Sequence, residues 1–526
     1  MARQAATGRH YMVGGGIAAL AAAVLLVRDG GVAGERITIL ENRNTVGGSL
    51  DGSNEADAAY LTRGGRMFER NFVCTLDLLG TIPAPDDPAI TVRDDILAFN
   101  RMVPGWADCR LVRGGRKVED RLRLGLTPAN LMEMTRLLLT PERWLQGRTI
   151  ESWFGPAFFD TNFWIMWATM FSFQPWHSLA EMRRYMRRFL HLLPGLTRIA
   201  GVLRTRYNQY DAIIAPTSAW LAAHGVRFRT DCRVVDISVE GDAAGRRVTG
   251  LQLAAGEVMA VATEDRVYLT LGSMTDATVN GRTDAPPQPT DGPSPGFDLW
   301  RRLAARLDGL GRPDVFAGHP EQTSWTSFTV TLRSPAFVAF MEEFSGNRTG
   351  TGGLVTFVDS GWLMSIVVFH QPHFRGQPAD RPVFWGYGLR GDRPGDVVRK
   401  AMADATGAQI LEELAHQLRL SPAQRTAFFD GAQVIPCRMP LITSQFMPRR
   451  IADRAAVIPR GAENFAVMGQ FCEIPRDCVF TVEYSVRSAW MAVQGLTNLV
   501  PAPPPVVRSD RDLRALLRAT RVLLSG

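Results

Sequence analysis

Cysteine is scarce in this chain. Cys74, Cys109, Cys232, Cys437, Cys472 and Cys478 are scattered over 526 positions. None forms a C-x-x-C pair and no spacing matches a zinc site or a disulfide framework, so a reducing, cytoplasmic setting is expected and a metal centre is not. His177, His370 and His373 leave that reading unchanged, because no carboxylate or thiol completes a ligand set beside them. No internal repeat or low-complexity tract is present, which excludes solenoids and linker-like chains. A nucleic-acid module is also missing, since the arginines are dispersed rather than clustered. The run Tyr11 to Val27 carries no charge. It is short for a membrane span and has three consecutive glycines near its start, so neither a span nor a signal peptide is expected.

What is present is material for a folded core. Hydrophobic residues make up 46% and charged residues 21% of the chain, and the length implies two to four packed units. A formal net charge of +7 favours anionic partners: a carboxylate, a phosphate-bearing cofactor or an acidic membrane surface. His10 to Val13 reads as a strand, Ala18 to Arg28 as an alanine-rich helix and Arg36 to Leu40 as a second strand. Helical spacing recurs at Asn130–Leu139 and Ser178–Leu193. The β-rich block Val226–Leu271 contains a hairpin turn at Glu240–Arg247. Asp284–Pro295 reads as a loop. Leu354–Val358 and Leu363–Phe369 are strands around an Asp359-Ser360-Gly361 turn. Asp392–Leu418 reads as helix and Asn464–Gly469 as a late strand before a helix near Thr481–Val493. Pro501–Pro505 is a stiff linker ahead of a terminal helix.

Gly14-Gly15-Gly16-Ile17-Ala18-Ala19 matches G-x-G-x-x-A between a strand and a helix. Gly14 permits the tight turn, Gly16 lets the backbone approach a pyrophosphate, and Ala19 allows close helix packing. The helix start supplies N–H groups and a favourable dipole to the phosphates. Glu41 ends the second strand where a ribose-binding acid belongs, and Gly47-Gly48 extends it to E-x5-G-G, a pattern typical of FAD enzymes of the glutathione-reductase type. Gly225-Val226-Arg227-Phe228 with Val234 and Ile237 resembles the strand pair that packs on adenine in that class. Tyr268-Leu269-Thr270-Leu271-Gly272-Ser273 resembles the strand end that meets the cofactor. Periodicity alone reads both equally well as plain sheet core.

Longer segments go beyond a generic flavoprotein. They are Thr62-Arg63-Gly64-Gly65-Arg66-Met67-Phe68-Glu69-Arg70, Phe173 to Ser178 followed by Glu181-Met182-Arg183-Arg184-Tyr185, Tyr207 to Asp211, Gly272 to Thr275, Gly352 to Tyr387, Ile442 to Arg449, and Gly469-Gln470-Phe471. In this order, over most of residues 10–500, they resemble the oleate hydratase family, also called myosin-cross-reactive antigens. The resemblance implies addition of water to oleic acid to give 10-hydroxystearic acid, with FAD in a non-redox structural and electrostatic role. It implies cofactor contacts at Gly65, Arg66, Val234, Ser273 and Gly469. It also implies an α/β fold with a Rossmann-like FAD-binding domain drawn from residues 1–75, 206–290 and 430–500. An α+β substrate-binding part, from 76–205 and 291–429, is inserted into it, and 501–526 form a C-terminal amphipathic helix. The chain is expected to be a monomer or homodimer. Because the glycine turn and Glu41 fit both, the alternative is a flavin oxidoreductase of the desaturase, isomerase or amine oxidase type.

Hydrating an isolated alkene needs a proton donor at one carbon and a water at the other, in a dry site. Tyr185 matches the family's acid by position; the residues alone favour an ordinary amphipathic helix with a tyrosine at its edge. Arg188, one turn on, is expected to stabilise developing phenolate. The family loop has a glutamate directly after the arginine. Here Met67 stands there and can neither take a proton nor orient water strongly. Glu69 is the nearest carboxylate, with a backbone carbonyl or the flavin edge as alternatives. Gln209, Thr443 and Gln445 match the family's head-group pocket, with Arg449 adding charge; without the resemblance, Thr443 is a strand residue on an exposed face.

The terminal helix has two expected sides. Arg511, Arg514, Arg518 and Arg521 fall on one, and Leu513, Leu516, Leu517, Leu523 and Leu524 on the other. A helix of this kind serves reversible docking on anionic membranes as a peripheral protein, or packs on the protein's own core.

Overall fold

The computed structural model describes residues 7–50, 52–54, 59–118, 123–289 and 294–525. A five-stranded, all-parallel sheet runs in the order Phe465–Met468, Arg266–Thr270, His10–Val13, Ile37–Leu40, Arg227–Arg229. The uncharged run at the N-terminus is its central strand, the glycine turn and the helix Ile17–Arg28. That helix is buried on all sides from Ile17 to Leu26, which is why it carries no polar stripe. Its alanines bring it close to helix Val482–Thr497, which packs against it. No helix among the described residues is long and apolar enough to cross a membrane. A longer uncharged run, Thr161–Ala180, forms the helix Asn162–Phe171 and then breaks at Ser172, which adopts a left-handed conformation.

A second, eight-stranded sheet follows the order Val279–Asn280, Gln433–Met439, Trp325–Thr331, Val383–Gly388, Met364–Val368, Leu354–Phe357, Leu111–Arg113, Arg116–Lys117. Its first two strands were assigned above to the dinucleotide-binding part, but Gln433–Met439 pairs antiparallel with Trp325–Thr331 and with Val279–Asn280. The reason is burial on both faces. Val434 joins the core with Phe328, Val330 and Phe337, while Ile435, Cys437 and Met439 join the larger core. A three-stranded antiparallel sheet holds the expected hairpin, Val234–Asp242 returning as Gly245–Leu253.

Two expected helices are shorter than their periodicity. Ser178 caps Leu179–Arg188, and the chain then tightens into the 3₁₀ turn Leu190–Gly195, which contains Pro194; a proline cannot supply the N–H that α-helix continuation needs. Of Asp392–Leu418 only Gly407–Gln417 is α-helix, opened by a Thr406/Gln409 capping box. Ahead of it, the buried Glu413 carboxylate accepts N–H bonds from Asp396, Val397 and Val398, holding a loop instead of a helix.

The proline linker does not release the terminal helix. Trp490 donates to the Pro501 carbonyl at 2.8 Å and Arg487 to that of Pro504. Helix Leu513–Ser525 buries Ala515 and Ala519 and packs Leu516 and Leu523 on the core. Leu513 and Leu517 face outward instead, 74% and 71% exposed, on the same side as the exposed Arg514, Arg518 and Arg521. The side chain of Leu524 lies outside the described residues.

Candidate active site

A cleft opens at the C-terminal ends of the parallel strands, where ligands bind in open α/β sheets. Gly14, Gly16, Glu41, Gly48, Val234, Ser273 and Gly469 line it. Gly14 has φ +97, and a Cβ there would lie 3.2 Å from Thr270. At Gly16 a Cβ would meet only Gly48 Cα, at 3.9 Å, and no side chain caps the helix that begins there. The first-turn N–H groups and the dipole are therefore free for a phosphate. Glu41 Oε2 accepts from Gly15 N at 2.7 Å and Oε1 from Arg43 N at 2.9 Å. Burial raises its pKa, against these hydrogen bonds. Ala19 and Gly47 do not line the cleft. Ala19 is fully buried in the helix packing, and Gly47, at φ +127, donates to Gly15 O. Two further lining residues were not named individually from the sequence: Thr270 lay within the strand-end segment, and Asp276 gave no signal. Thr270 Oγ1 is buried without a partner. The Asp276 carboxyl accepts from Gly296 N, and burial pushes its pKa up to about 7.

At Ile17, Ser49, Met274, Gln470 and Ser485 the cleft meets a second cavity of about 180 Å³. Gly65, Arg66, Met67, Glu69 and Tyr185 all line this cavity, so Gly65 and Arg66 sit beyond the cleft, with Arg66 donating to Ser49 O at 2.6 Å. Aromatic side chains stud its walls: Phe68, Phe72, Trp167, Phe171, Phe189, Trp325, Trp385, Tyr387 and Phe480. Tyr185 is buried against Phe171, Phe173, Phe189 and Phe446. Its hydroxyl donates to the Val479 carbonyl at 2.5 Å. Burial, with the nearby Cys478, Glu181 and Asp477, raises its pKa well above the usual phenol range. The expected help from Arg188 is absent because that charge is already taken. Arg188 lies 2.9 Å from Glu69 and 3.8 Å from Asp477.

Glu69 is likewise engaged. Oε1 meets Arg188, and Oε2 meets His191 Nε2 at 2.8 Å and Asn71 N at 3.4 Å. Met67, beside it in the wall, offers no polar atom of use.

The four expected head-group residues are not brought together. Thr443 donates to Thr323 O and Gln445 to Ile442 O. Arg449 is locked into a buried ion cluster with Glu181 and Glu473, at 2.7 and 2.9 Å. None of these three lines the cleft or the large cavity. Gln209 borders a smaller cavity of about 50 Å³ with Arg204, Asn208, Phe369, His370 and His373, which shares Gly64 to Met67 and Val367 with the large one. Both amide atoms of Gln209 are buried without hydrogen-bond partners. Arg204 donates to the carbonyls of Thr351 and Val103 and no acidic side chain pairs with it among the described residues. Burial lowers the pKa of His373 to about 3 and keeps its ring neutral.

A family model described as the MCRA family matches residues 8–494. The chain belongs to the MCRA family. An oleate hydratase from Streptococcus pyogenes serotype M49 (strain NZ131) is 38% identical over 523 residues, covering 97% of this chain and 88% of that protein. A linoleate hydratase from Lactiplantibacillus plantarum is 30% identical and covers 98% of both chains. Among solved structures, a cyclohexylamine oxidase from Brevibacterium oxydans IH-35A superposes with a TM-score of 0.57 at 13% identity, covering 93% of this chain and 99% of that one. At that identity the likeness shows the fold alone, and it is the α/β, Rossmann-like class expected from the sequence.

In this MCRA member the six-letter glycine pattern also occurs at Gly386-Tyr387-Gly388-Leu389-Arg390-Gly391. There it means nothing for a dinucleotide. Gly386 and Gly388 lie inside strand Val383–Gly388, and Cβ atoms there would strike Phe328 and Met402. The glycines make room for neighbouring side chains.

Proposed function

We propose that this chain is a fatty acid hydratase, adding water to the cis-9 double bond of oleic acid to give 10-hydroxystearic acid. One observation carries the reading: an apolar cavity rich in aromatic side chains, with Tyr185 in its wall, opens directly onto the dinucleotide cleft. The hydratase names of its relatives agree with it. FAD fits the cleft through the Gly16 opening, the uncapped helix and the Glu41 carboxylate, and when bound it supplies a polarised ring system without net redox turnover. The protein's side chains do the rest. The phenol of Tyr185 stays protonated and is the donor at one alkene carbon, and the aromatic walls exclude bulk water around the developing cation. Glu69 is the carboxylate nearest the cavity for positioning the added water. A flavin oxidoreductase is the competing reading. Incubated with FAD and oleate under nitrogen, the protein should yield a product heavier by one water. A product lighter by two hydrogens would establish the oxidoreductase instead.

Glu41→Ala should weaken FAD binding by about 1–3 kcal/mol through loss of charged hydrogen bonds. Retention of FAD after dialysis equal to that of the parent protein would place the ribose contact elsewhere.

The substrate carboxylate is assigned to the small cavity of Gln209 and Arg204. Arg204 is a buried cation without an acidic partner among the described residues, and Gln209 offers an unused amide, so an anion entering there satisfies both. Gln209→Leu should raise the KM for oleate roughly tenfold or more while leaving kcat nearly unchanged, as for loss of uniform binding to a charged group. An unchanged KM would remove Gln209 from the head-group site.

An anionic membrane is the proposed source of substrate. Leu513 and Leu517 stand outward among Arg514, Arg518 and Arg521. The neighbouring helix Pro128–Leu139 exposes Met132 and Leu139 across a shared apolar cavity. Each arginine near an anionic surface contributes about 1 kcal/mol. Leu513→Ser/Leu517→Ser and Arg514→Glu/Arg518→Glu variants should lose salt-sensitive binding to phosphatidylglycerol vesicles while keeping FAD. Vesicle binding equal to the parent in both variants would leave the helix as core packing only.

A further inference from the structure

A chain of hydrogen bonds joins the C-terminal segment to the wall of the large cavity. Glu69 Oε2 lies 2.8 Å from His191 Nε2, and His191 Nδ1 lies 2.7 Å from Ser509 Oγ. Ser509 Oγ is also 2.9 Å from the carbonyl oxygen of Arg188. A carbonyl only accepts, so the hydroxyl hydrogen points at Arg188 and Ser509 Oγ accepts from Nδ1–H. If the imidazole were neutral with its proton on Nδ1, a bare Nε2 lone pair would face a carboxylate oxygen. A contact of 2.8 Å between them requires a further proton between Nε2 and Oε2. The Asn71 amide, 3.2 Å from the same nitrogen, turns its oxygen or its NH₂ to it according to where that proton sits.

We propose that His191 is a positioning residue for hydration: oriented by Ser509, it holds Glu69 and a shared proton at the cavity wall. The proposal rests on the reading of Glu69 as the carboxylate that positions water. The surroundings make the arrangement rigid. Arg188 Nη1 fixes the other oxygen of Glu69 at 2.9 Å and reaches Asp477 on its far side. Arg187 and Arg508 both bind Asp510, at 3.2 and 2.7 Å, clamping the segment around Ser509 to helix Leu179–Arg188. Glu69, Arg188 and Asp477 on the cavity side, and Arg187, Arg508 and Asp510 on the outer side, are the charged groups around the imidazole. Ser509 itself is buried, so the link is shielded from water although His191 is partly exposed. The C-terminal segment thereby sets the geometry of a cavity residue more than four hundred positions earlier in the chain.

The test uses the FAD-loaded full-length chain and oleate, with kcat and KM measured against pH. His191→Gln should lower kcat roughly tenfold or more, leave KM and FAD content unchanged, and remove one ionisation from the kcat profile. Ser509→Ala should show a smaller loss in the same direction, restored by Ser509→Thr. Because the two residues act as one unit, His191→Gln should add nothing in a Glu69→Gln background. If the two losses multiply, or His191→Gln keeps the parental profile while Glu69→Gln is impaired, His191 has no positioning role and the proposal is overturned. Full activity of Glu69→Gln would instead overturn the underlying reading of Glu69, and the proposal with it. Should His191→Gln not fold, the Ser509 pair carries the same pH comparison.

Discussion

Tyr185→Phe is expected to lower hydration turnover by roughly 10²–10⁴-fold while the protein folds and keeps its FAD. The change removes one hydroxyl from a ring packed among Phe171, Phe173, Phe189 and Phe446, so the packing volume barely alters. The lost hydroxyl is the only ionisable group of this cavity-lining residue, and its partner, the Val479 carbonyl, cannot replace it as a donor. One unpaired buried carbonyl costs about 1–3 kcal/mol of stability, too little to unfold a chain of this size. Single-turnover hydration of oleate measures the effect directly. A variant that retains most of its turnover would make Tyr185 structural and move the proton donor elsewhere.

Glu181→Gln is expected to destabilise the fold by about 3–5 kcal/mol, the usual result of breaking a fully buried ion cluster. Glu181 is entirely buried at the start of the Tyr185 helix, and Oε1 meets Arg449 at 2.7 Å and Arg454 at 3.0 Å. Burial alone would raise its pKa, but Arg454, Arg449 and Arg184 pull it from 4.5 down to about 2. The group binds its proton more weakly in the folded state than in the unfolded one. Its stabilisation is therefore fully present above about pH 4.5 and lost as pH falls through about 2. Denaturant unfolding at neutral pH should show the full loss, and the gap between parent and variant should narrow in acid. A loss under about 1 kcal/mol at neutral pH would show that Glu473 alone neutralises these arginines.

Short-range chemistry was readable without coordinates. Gly14, Gly16 and Glu41 occupy the cleft because a tight turn, an open helix start and a strand-end acid are set by residues within one βαβ unit. The hairpin between Val234 and Leu253 and the turn at Asp359 to Gly361 were legible for the same reason. The placement of Tyr185 on its helix needed only spacing and a capping serine, and that helix puts it in a cavity wall.

What the sequence determined by itself was therefore the set of local motifs, the family and the fold class. The tertiary structure alone decided who stands beside whom. Arg188 looked free to assist Tyr185 one helical turn away, yet Asp477 and Glu69 arrive from distant segments and take its charge. Thr443, Gln445 and Arg449 share a stretch of chain with polar character, but burial draws polar groups into pairs, and the Thr443 hydroxyl, the Gln445 NH₂ and the Arg449 guanidinium find theirs at Thr323, Ile442, Glu181 and Glu473. Arg204 gave no signal in the sequence, because its burial without an acidic partner among the described residues is a property of its surroundings in space. The terminal helix met the same limit. Its pattern fits a membrane or a core equally, and only the packing of Ala515, Leu516, Ala519 and Leu523 shows which side turns inward. Hydrogen bonds and ion pairs act over a few ångströms, whatever the distance along the chain, so only the folded arrangement reveals them.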